Sequence, residues 1–177
     1  MSTVIKGGNL IAAITGGVFY EATVYGVDTP EDLLLDSPAY ILMSYIVGVL
    51  ELMTLPSEED DWPLYVSHLP DGINNSGCLY DTSGISDGRL MDTGKMIEHH
   101  GIQLTIRSDD YSIGRAKAEE IALSLDAVFN DAVDIGDEEF EIQNVKRMSN
   151  VISLGLEEDS RRNYLFTVDF VATLKRM

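Results

Sequence analysis

Hydrophobic and polar residues alternate between Ile102 and Arg107, and this period of two predicts a β-strand with one apolar and one polar face. The next residues, Ser108, Asp109 and Asp110, can each accept hydrogen bonds from the first turn of a helix. A helix reaching about residue 129 is predicted, because apolar residues recur at intervals of three and four. These residues are Ala118, Ile121, Ala122, Leu125, Val128 and Phe129. We expect this helix to cover the apolar face of the strand.

An earlier helix is predicted to begin at Ser37 and Pro38, since serine caps a first turn and proline at the first position loses no needed hydrogen bond. Its core-facing stripe consists of Ile41, Leu42, Tyr45, Ile46, Val49, Leu50 and Met53. Met43, Val47 and Leu52 place apolar side chains on a second side. A helix this apolar is usually buried on two sides, so another layer or another subunit covers the second one. We predict Met43, Val47 and Leu52 as an oligomer interface.

The rest of the chain predicts strands separated by turns and loops. The strands are expected over residues 62–69, 78–81, 140–145, 151–156 and 163–175. Residues 82–96 contain several glycines and few apolar residues, which indicates a long mobile loop. The predicted fold class is therefore α+β, with two helices packed on one largely antiparallel sheet. Residues 1–28 are predicted as an N-terminal arm or extra hairpin, and residues 29–177 as a single α+β domain.

The charge of the chain narrows the classes of function. Its 177 residues include 30 acidic and 12 basic ones, a net charge of −18. A protein that binds DNA by neutralising phosphates is excluded, because such binding requires a basic patch. Cys78 is the only cysteine, so no intrachain disulfide forms, which fits a reducing compartment. The longest uncharged runs, residues 7–20 and 37–50, are too short to span a bilayer, and no membrane partner is expected.

Candidate chemistry is sparse along the chain. His99 and His100 are adjacent in a predicted strand and point to opposite faces, which disfavours a shared metal. The acidic runs at residues 58–61 and 137–141 lack the ligand spacing of a calcium-binding loop. Cys78 has no adjacent basic residue and is interpreted as a small buried hydrophobe. We therefore expect no enzyme activity, no cofactor and no metal site.

The order of motifs over residues 36–177 carries more information than any single residue. An apolar helix at residues 38–53 precedes the sequence Ile106-Arg107-Ser108-Asp109-Asp110-Tyr111 and an alanine-rich helix. A strand at residues 151–156, a Glu-Asp-x-Arg turn at residues 158–161 and a strand at residues 166–174 follow. This order resembles the tail terminator proteins of long-tailed bacteriophages, also called tail completion or minor capsid proteins. Their central strand ends in Val/Ile-Arg-x-Asp-Tyr, and this chain has one Asp more.

The resemblance implies a structural virion protein and no enzyme. Members of this family form a ring that caps the head-proximal end of the tail tube, stops tube polymerisation and offers a surface to the head connector. For this chain, the resemblance implies a homo-hexamer that binds the tail tube protein and the head–tail connector protein. DNA would pass through an acidic channel without specific binding. The implied localisation is the virion, after assembly in the host cytoplasm.

Two charged segments are the candidates for binding these partners. Residues 82–96, with Arg89 and Lys95 as their only cations, are expected to become ordered on the tube. A charged turn supplies the remaining candidates, which are Glu157, Glu158, Asp159, Arg161 and Arg162.

Three other classes of function stay open at this point. Another neck or tail-tube protein of the same virion would share the ring and differ in its partner. An acidic DNA-mimicking inhibitor would need a regular array of carboxylates on one face. A small hydrolase or ligand-binding domain would need a deep polar pocket.

Overall fold

The computed structural model describes residues 5–6, 9–10, 13–15, 18–20, 37–56, 61–89, 96–157 and 162–176. Backbone contacts divide the chain into two units, Met1–Leu34 and Leu35–Met177. Within the described residues, neither helix is long and apolar enough to cross a membrane.

The described residues of the first unit form two short antiparallel strand pairs. Strand β1 (Ile5–Lys6) pairs with β2 (Asn9–Leu10), and β3 (Ala13–Thr15) pairs with β4 (Val18–Tyr20). The functional role of residues 1–28 stays a prediction.

In the second unit, the residues that the structure describes form two helices and one curled sheet. Its elements in chain order are α1 (Pro38–Gly48), β5 (Leu64–Val66), β6 (Ser76–Arg89), β7 (Met96–Ser108), α2 (Tyr111–Asp126), β8 (Phe129–Ile135), β9 (Glu138–Arg147), β10 (Ile152–Leu156) and β11 (Tyr164–Arg176). The strand order is β5-β6-β7-β11-β9-β8, and β10 also pairs with β11. β5 and β6 are parallel, whereas the other pairs are antiparallel. The predicted α+β fold class is confirmed.

The centre of the core lies between β7, β11 and α2, as the alternation along β7 predicts. Ile102, Leu104 and Ile106 of β7 are paired with Phe170, Val168 and Phe166 of β11, and all six side chains are buried. The apolar stripe of α2, which includes Ile121 and Leu125, is buried against these strands. Burial of each large apolar side chain contributes roughly 1.5–3 kcal/mol, so this layer is a main source of stability.

Helix α2 ends at Asp126, three residues before the predicted end. Phe129, predicted in the apolar stripe of the helix, instead begins β8 and is 74% exposed. The reason is strand pairing, because Phe129 lies opposite Asn144 of β9. The sequence analysis missed β8 itself, since only two of its seven residues, Val133 and Ile135, are buried apolar ones.

Helix α1 begins where the sequence predicts. The Ser37 side chain accepts a hydrogen bond from the Tyr40 backbone N–H. Asp81 of β6 also accepts from the Ala39 backbone N–H at 2.9 Å and from the Ser37 hydroxyl at 2.6 Å. A carboxylate near the N-terminus of a helix interacts favourably with the helix dipole, so Asp81 of β6 stabilises the start of α1. The helix stops at Gly48, which leaves Val49 outside it and exposed, contrary to the predicted stripe.

The predicted loop at residues 82–96 is wrong for most of its length. β6 continues to Arg89 and β7 starts at Met96, so the two strands form one long hairpin, and residues 90–95 lie outside the described residues. The pairing shifts register between Thr82 and Ile85. At this bulge, a Cβ on Gly84 would collide with the His99 carbonyl, and a Cβ on Gly101 with the Ser83 carbonyl. The glycines therefore serve the close approach of two strands.

The parallel pairing of β5 and β6 requires residues 67–75 to return along the sheet. Arg107 follows Ile106 in β7, so its side chain lies on the face away from α2. It donates to the Pro70 carbonyl, which places the returning segment over that face. Cys78 is completely buried in β6, as its interpretation as a small hydrophobe predicts. Burial raises the pKa of its thiol.

Candidate functional site

The motif Arg107-Ser108-Asp109-Asp110-Tyr111 forms the junction between β7 and α2. Asp110 caps the helix, because its carboxylate accepts hydrogen bonds from the backbone N–H groups of Ser112 and Ile113 at 2.8 and 2.9 Å. Among the three candidate caps, the structure thus selects Asp110, while Asp109 is exposed. The Tyr111 ring packs edge-on against Tyr164 and Phe166 of β11. The motif therefore fixes the angle between strand and helix.

Arg107 is the buried charge of this junction. Its Nη2 donates to Glu157 Oε1 at 2.6 Å, and its Nη1 donates to the Pro70 carbonyl at 2.5 Å. The exposed fractions of the two charged side chains are 6% for Arg107 and 18% for Glu157. A desolvated ion pair of this kind is costly to break, because one charge is then left buried without a counter-charge. Arg107 thus ties β7 to the residues just after β10.

Four residues around this ion pair hold buried polar atoms without a hydrogen-bond partner in the described part of the chain. The atoms are Ser76 Oγ, Arg107 Nε, Glu157 Oε2, and Asn163 Nδ2 and Oδ1. Strand register explains why they lie together. Ser76 is paired with Arg107, and the Glu157 backbone N–H donates to the Asn163 carbonyl. The Glu157–Asn163 pair closes the base of the charged turn.

The structure assigns different positions to the predicted partner-binding residues. Glu157 is not a free surface carboxylate, because one of its oxygens is held by Arg107 within the chain. Arg162 is exposed with a φ of 56°, which is a left-handed backbone conformation. Glu158, Asp159, Arg161 and Lys95 lie outside the described residues, and Arg89 is the last residue of β6. A partner-binding role for these residues stays a prediction.

The three side chains predicted as an oligomer interface are less exposed than that prediction assumes, and the interface itself stays a prediction. Met43 is only 6% exposed, and Val47 and Leu52 are partly buried and pack against the core. Helix α1 contacts β5, β6, β7 and β8 of the same chain. Residues of the same chain therefore cover part of the second side of this helix. The three residues do not form the exposed apolar patch on which the interface prediction depends.

A hydrogen bond joins α1 to β8 through Tyr45, a residue of the predicted core-facing stripe. The Tyr45 hydroxyl donates to Asp131 Oδ2 at 2.5 Å, while the Tyr45 ring is buried. Burial, followed by the hydrogen bond and the charge of Asp131, raises the pKa of the Tyr45 phenol. On the other face of the sheet, burial and the neighbouring Cys78 raise the pKa of Tyr80 to about 12. Both phenols are therefore protonated at neutral pH.

The apolar surface that the sequence analysis missed is on β10. All five residues of this strand are exposed, and Ile152, Leu154 and Leu156 are 49%, 59% and 50% exposed. The sequence predicts a strand at this position but not its exposure. One signal was available, since residues 148–156 carry no charged side chain in a chain of net charge −18.

Two further features bear on binding of a metal or small ligand: the arrangement of possible metal ligands and a groove beside α2. Within the described residues, no group of three or more His, Cys, Asp or Glu side chains is arranged to hold a metal ion. His99 lies in β7 with its Nδ1 2.8 Å from Thr173 Oγ1. An open groove beside α2 has a volume of about 530 Å³ and is lined by Trp62, Ile113, Ala116, Lys117 and Glu120. Its two charged side chains pair with each other at 3.0 Å.

Two solved structures superpose loosely on this chain. No family model matches the sequence, and no curated protein matches it. A chain from the virion of a native gene transfer agent particle superposes with a TM-score of 0.41 at 10% identity, covering 64% of this chain and 78% of that chain. A second solved structure gives a TM-score of 0.35 at 13% identity, covering 64% and 79%. Both superpositions are too loose to assign a function.

Proposed function

We propose that this chain is a structural virion protein that forms a homo-hexameric ring on the head-proximal end of a phage tail tube. The ring stops tube polymerisation and provides the surface for joining to the head connector. The observation that carries the proposal is the contact between Arg107 and Glu157. Arg107 belongs to the strand–turn–helix motif that resembles tail terminators. Glu157 directly precedes the Glu-Asp-x-Arg turn of the same resemblance.

The contact supports the resemblance because it connects two motifs that are 50 residues apart in the chain. Each matched residue of the first motif also has a structural task. Arg107 binds the base of the charged turn, Asp110 caps α2, and Tyr111 packs on β11. Matched residues that form one connected unit are expected if the motif order reflects a shared fold.

The charge distribution is compatible with a channel through which DNA passes without binding. Exposed carboxylates are concentrated on the hairpin of β8 and β9, where Asp131, Asp134, Asp137 and Glu139 lie at the surface. Carboxylates repel phosphates, so a ring of such chains would not retain DNA. We therefore expect the channel to be lined largely by carboxylates.

Other carboxylates argue against a DNA-mimicking inhibitor. Glu119 and Asp126 of α2 both form ion pairs with Arg147, and Glu141 pairs with Lys175. A mimic requires regularly spaced free charges on one face, whereas these charges are neutralised within the chain. Another neck or tail-tube protein is the alternative that shares the ring, and the location of the protein on the tail distinguishes the two.

The proposal is tested by growing tail tubes from purified tube subunits with and without this protein. Negative-stain electron microscopy would measure tube length and locate the protein with a gold-labelled tag. We expect shorter tubes that carry one ring at a single end. An unrelated protein of similar net charge is the control, because a polyanion alone could perturb polymerisation.

Two outcomes would contradict the terminator role. A label spread along the tube would identify a tube protein instead. Tubes of unchanged length with bare ends would reject binding to the tube altogether.

A further inference from the structure

Strand β10 has an open edge, as do the two end strands of the sheet, β5 and β8, in the described part of the chain. Among the described residues, β10 pairs with β11 on one side and with no strand on its other side. β9 and β10 pair with successive stretches of the same edge of β11, and β8 pairs with β9. The backbone groups along such an edge can accept a further strand.

The side chains of β10 do not protect this edge. Natural proteins usually place lysine, other charges or proline on exposed edge strands, because these residues prevent strand addition. β10 contains none of them, and three of its five residues are exposed aliphatic ones. The one protective device is a bulge between Ser153 and Gly155, where Gly155 has a φ of 96°. An exposed aliphatic edge without charge is typical of an interface.

The charge of the chain indicates where a second copy could bind. Two copies that each carry a net charge of −18 repel each other, except where their surfaces are uncharged. Residues 148–156 provide such a surface, between the basic pair Lys146-Arg147 and the acidic residues that begin at Glu157. A basic partner would find its charge complement in the carboxylates elsewhere on the chain and not in this uncharged segment.

We propose that the outer edge of β10 is the docking surface for a second copy of this chain, which adds a strand to the sheet and covers Ile152, Leu154 and Leu156. This inference rests on the proposed ring and gives it an interface. Pairing of β10 with β10 of a second copy would generate a twofold dimer. In a ring, β10 would therefore pair with an edge strand other than β10 of the neighbouring copy.

The first experiment compares two leucine-to-lysine variants by sedimentation velocity over a series of protein and salt concentrations. Leu154→Lys places a charge on the edge of β10. Leu123→Lys is the matched control, because Leu123 on α2 is 61% exposed and Leu154 is 59% exposed. We expect wild type and Leu123→Lys to associate alike, and more readily at high salt. Leu154→Lys should require roughly tenfold higher concentration, which corresponds to the loss of a modest interface contact.

Equal association of the two variants would overturn the inference, as would wild-type protein that stays monomeric throughout the series. A circular dichroism spectrum checks that Leu154→Lys is folded. Hydrogen exchange on wild type needs no variant and tests the same surface. We expect amides of residues 152–156 to become protected as concentration rises, while the exposed face of α2 is unchanged. Absence of that protection in associated protein would likewise reject β10 as the surface.

The outcomes also separate this inference from the proposed function. Tubes that are capped by Leu154→Lys as well as by wild type would reject the β10 interface and keep the terminator role. Association through β10 without binding to tubes would keep the interface and reject that role. Protection of β10 only after tube protein is added would identify the tube as its partner, which contradicts docking of a second copy.

Discussion

Arg107 and Glu157 form an ion pair at 2.6 Å that joins the end of β7 to the residue after β10. The pair connects the strand–turn–helix motif to the base of the charged turn, two segments that are far apart in the sequence. Because both side chains are largely desolvated, this contact has consequences for stability that exposed ion pairs of the chain do not share.

Glu157→Gln is expected to lower the free energy of unfolding by about 3 kcal/mol, because the Arg107 guanidinium is then buried without a counter-charge. Adding Arg107→Met should recover part of that loss. Glu120→Gln is the control, since it removes an exposed partner of Lys117 and should cost less than about 1 kcal/mol. Urea unfolding of the four proteins measures the difference. Equal losses for Glu157→Gln and Glu120→Gln would contradict a desolvated ion pair.

Leu125→Ala is expected to cost about 2–5 kcal/mol, as for other leucines truncated in a core. Leu123→Ala on the exposed side of the same helix should change the stability by less than about 0.5 kcal/mol. Both values come from denaturant melts. A loss for Leu125→Ala within the error of the melt would mean that α2 is not packed on the sheet.

Gly101→Ala is expected to destabilise the long hairpin by about 1–3 kcal/mol, because the new methyl group would meet the Ser83 carbonyl on β6. Gly48→Ala is the matched control at the end of α1, where a methyl group meets nothing within 4 Å. Thermal melts of both variants test the close approach of β6 and β7. A neutral Gly101→Ala would indicate a wider separation of these strands.

Tyr45→Phe is expected to cost about 1–2 kcal/mol at neutral pH through loss of the hydrogen bond to Asp131. The raised pKa of the phenol also predicts a pH dependence. Since the folded state holds this proton more tightly, its contribution is complete below the ordinary tyrosine pKa of about 10 and is lost as the pH rises further. Stability of Tyr45→Phe should therefore fall less steeply above pH 10 than that of wild type.

Urea melts between about pH 8 and pH 11.5 provide the measurement, within the range where tyrosines titrate. Tyr40→Phe is the control, because Tyr40 is a half-buried tyrosine on the same helix. An identical alkaline slope for wild type and Tyr45→Phe would show that the Tyr45 proton is not linked to folding.

Deletion of residues 1–28 is expected to leave the α+β domain folded and to weaken assembly. The reason is that Met1–Leu34 and Leu35–Met177 are separate compact units. Circular dichroism would report folding, and sedimentation would report assembly. An unfolded or insoluble deletion variant would show that the segment belongs to the core.

Local patterns were sufficient to predict the strand–turn–helix unit around Ile106 and Asp110, the start of α1 at Ser37, and the last strand, β11. Each of these depends on residues close together in sequence: alternation within a strand, a three-to-four repeat within a helix, and a cap at its first turn. The α+β class follows from their order.

The tertiary structure decided what depends on distant partners. Gly84 indicates a loop when considered alone, and a strand bulge only when β6 and β7 are paired. Phe129 fits a helical stripe until β9 offers it a strand partner. Met43 is buried within its own chain, and Glu157 is largely buried where it pairs with Arg107. The exposure of Leu154 likewise follows from its place at the sheet edge, since a strand pattern does not reveal which of its neighbours is missing.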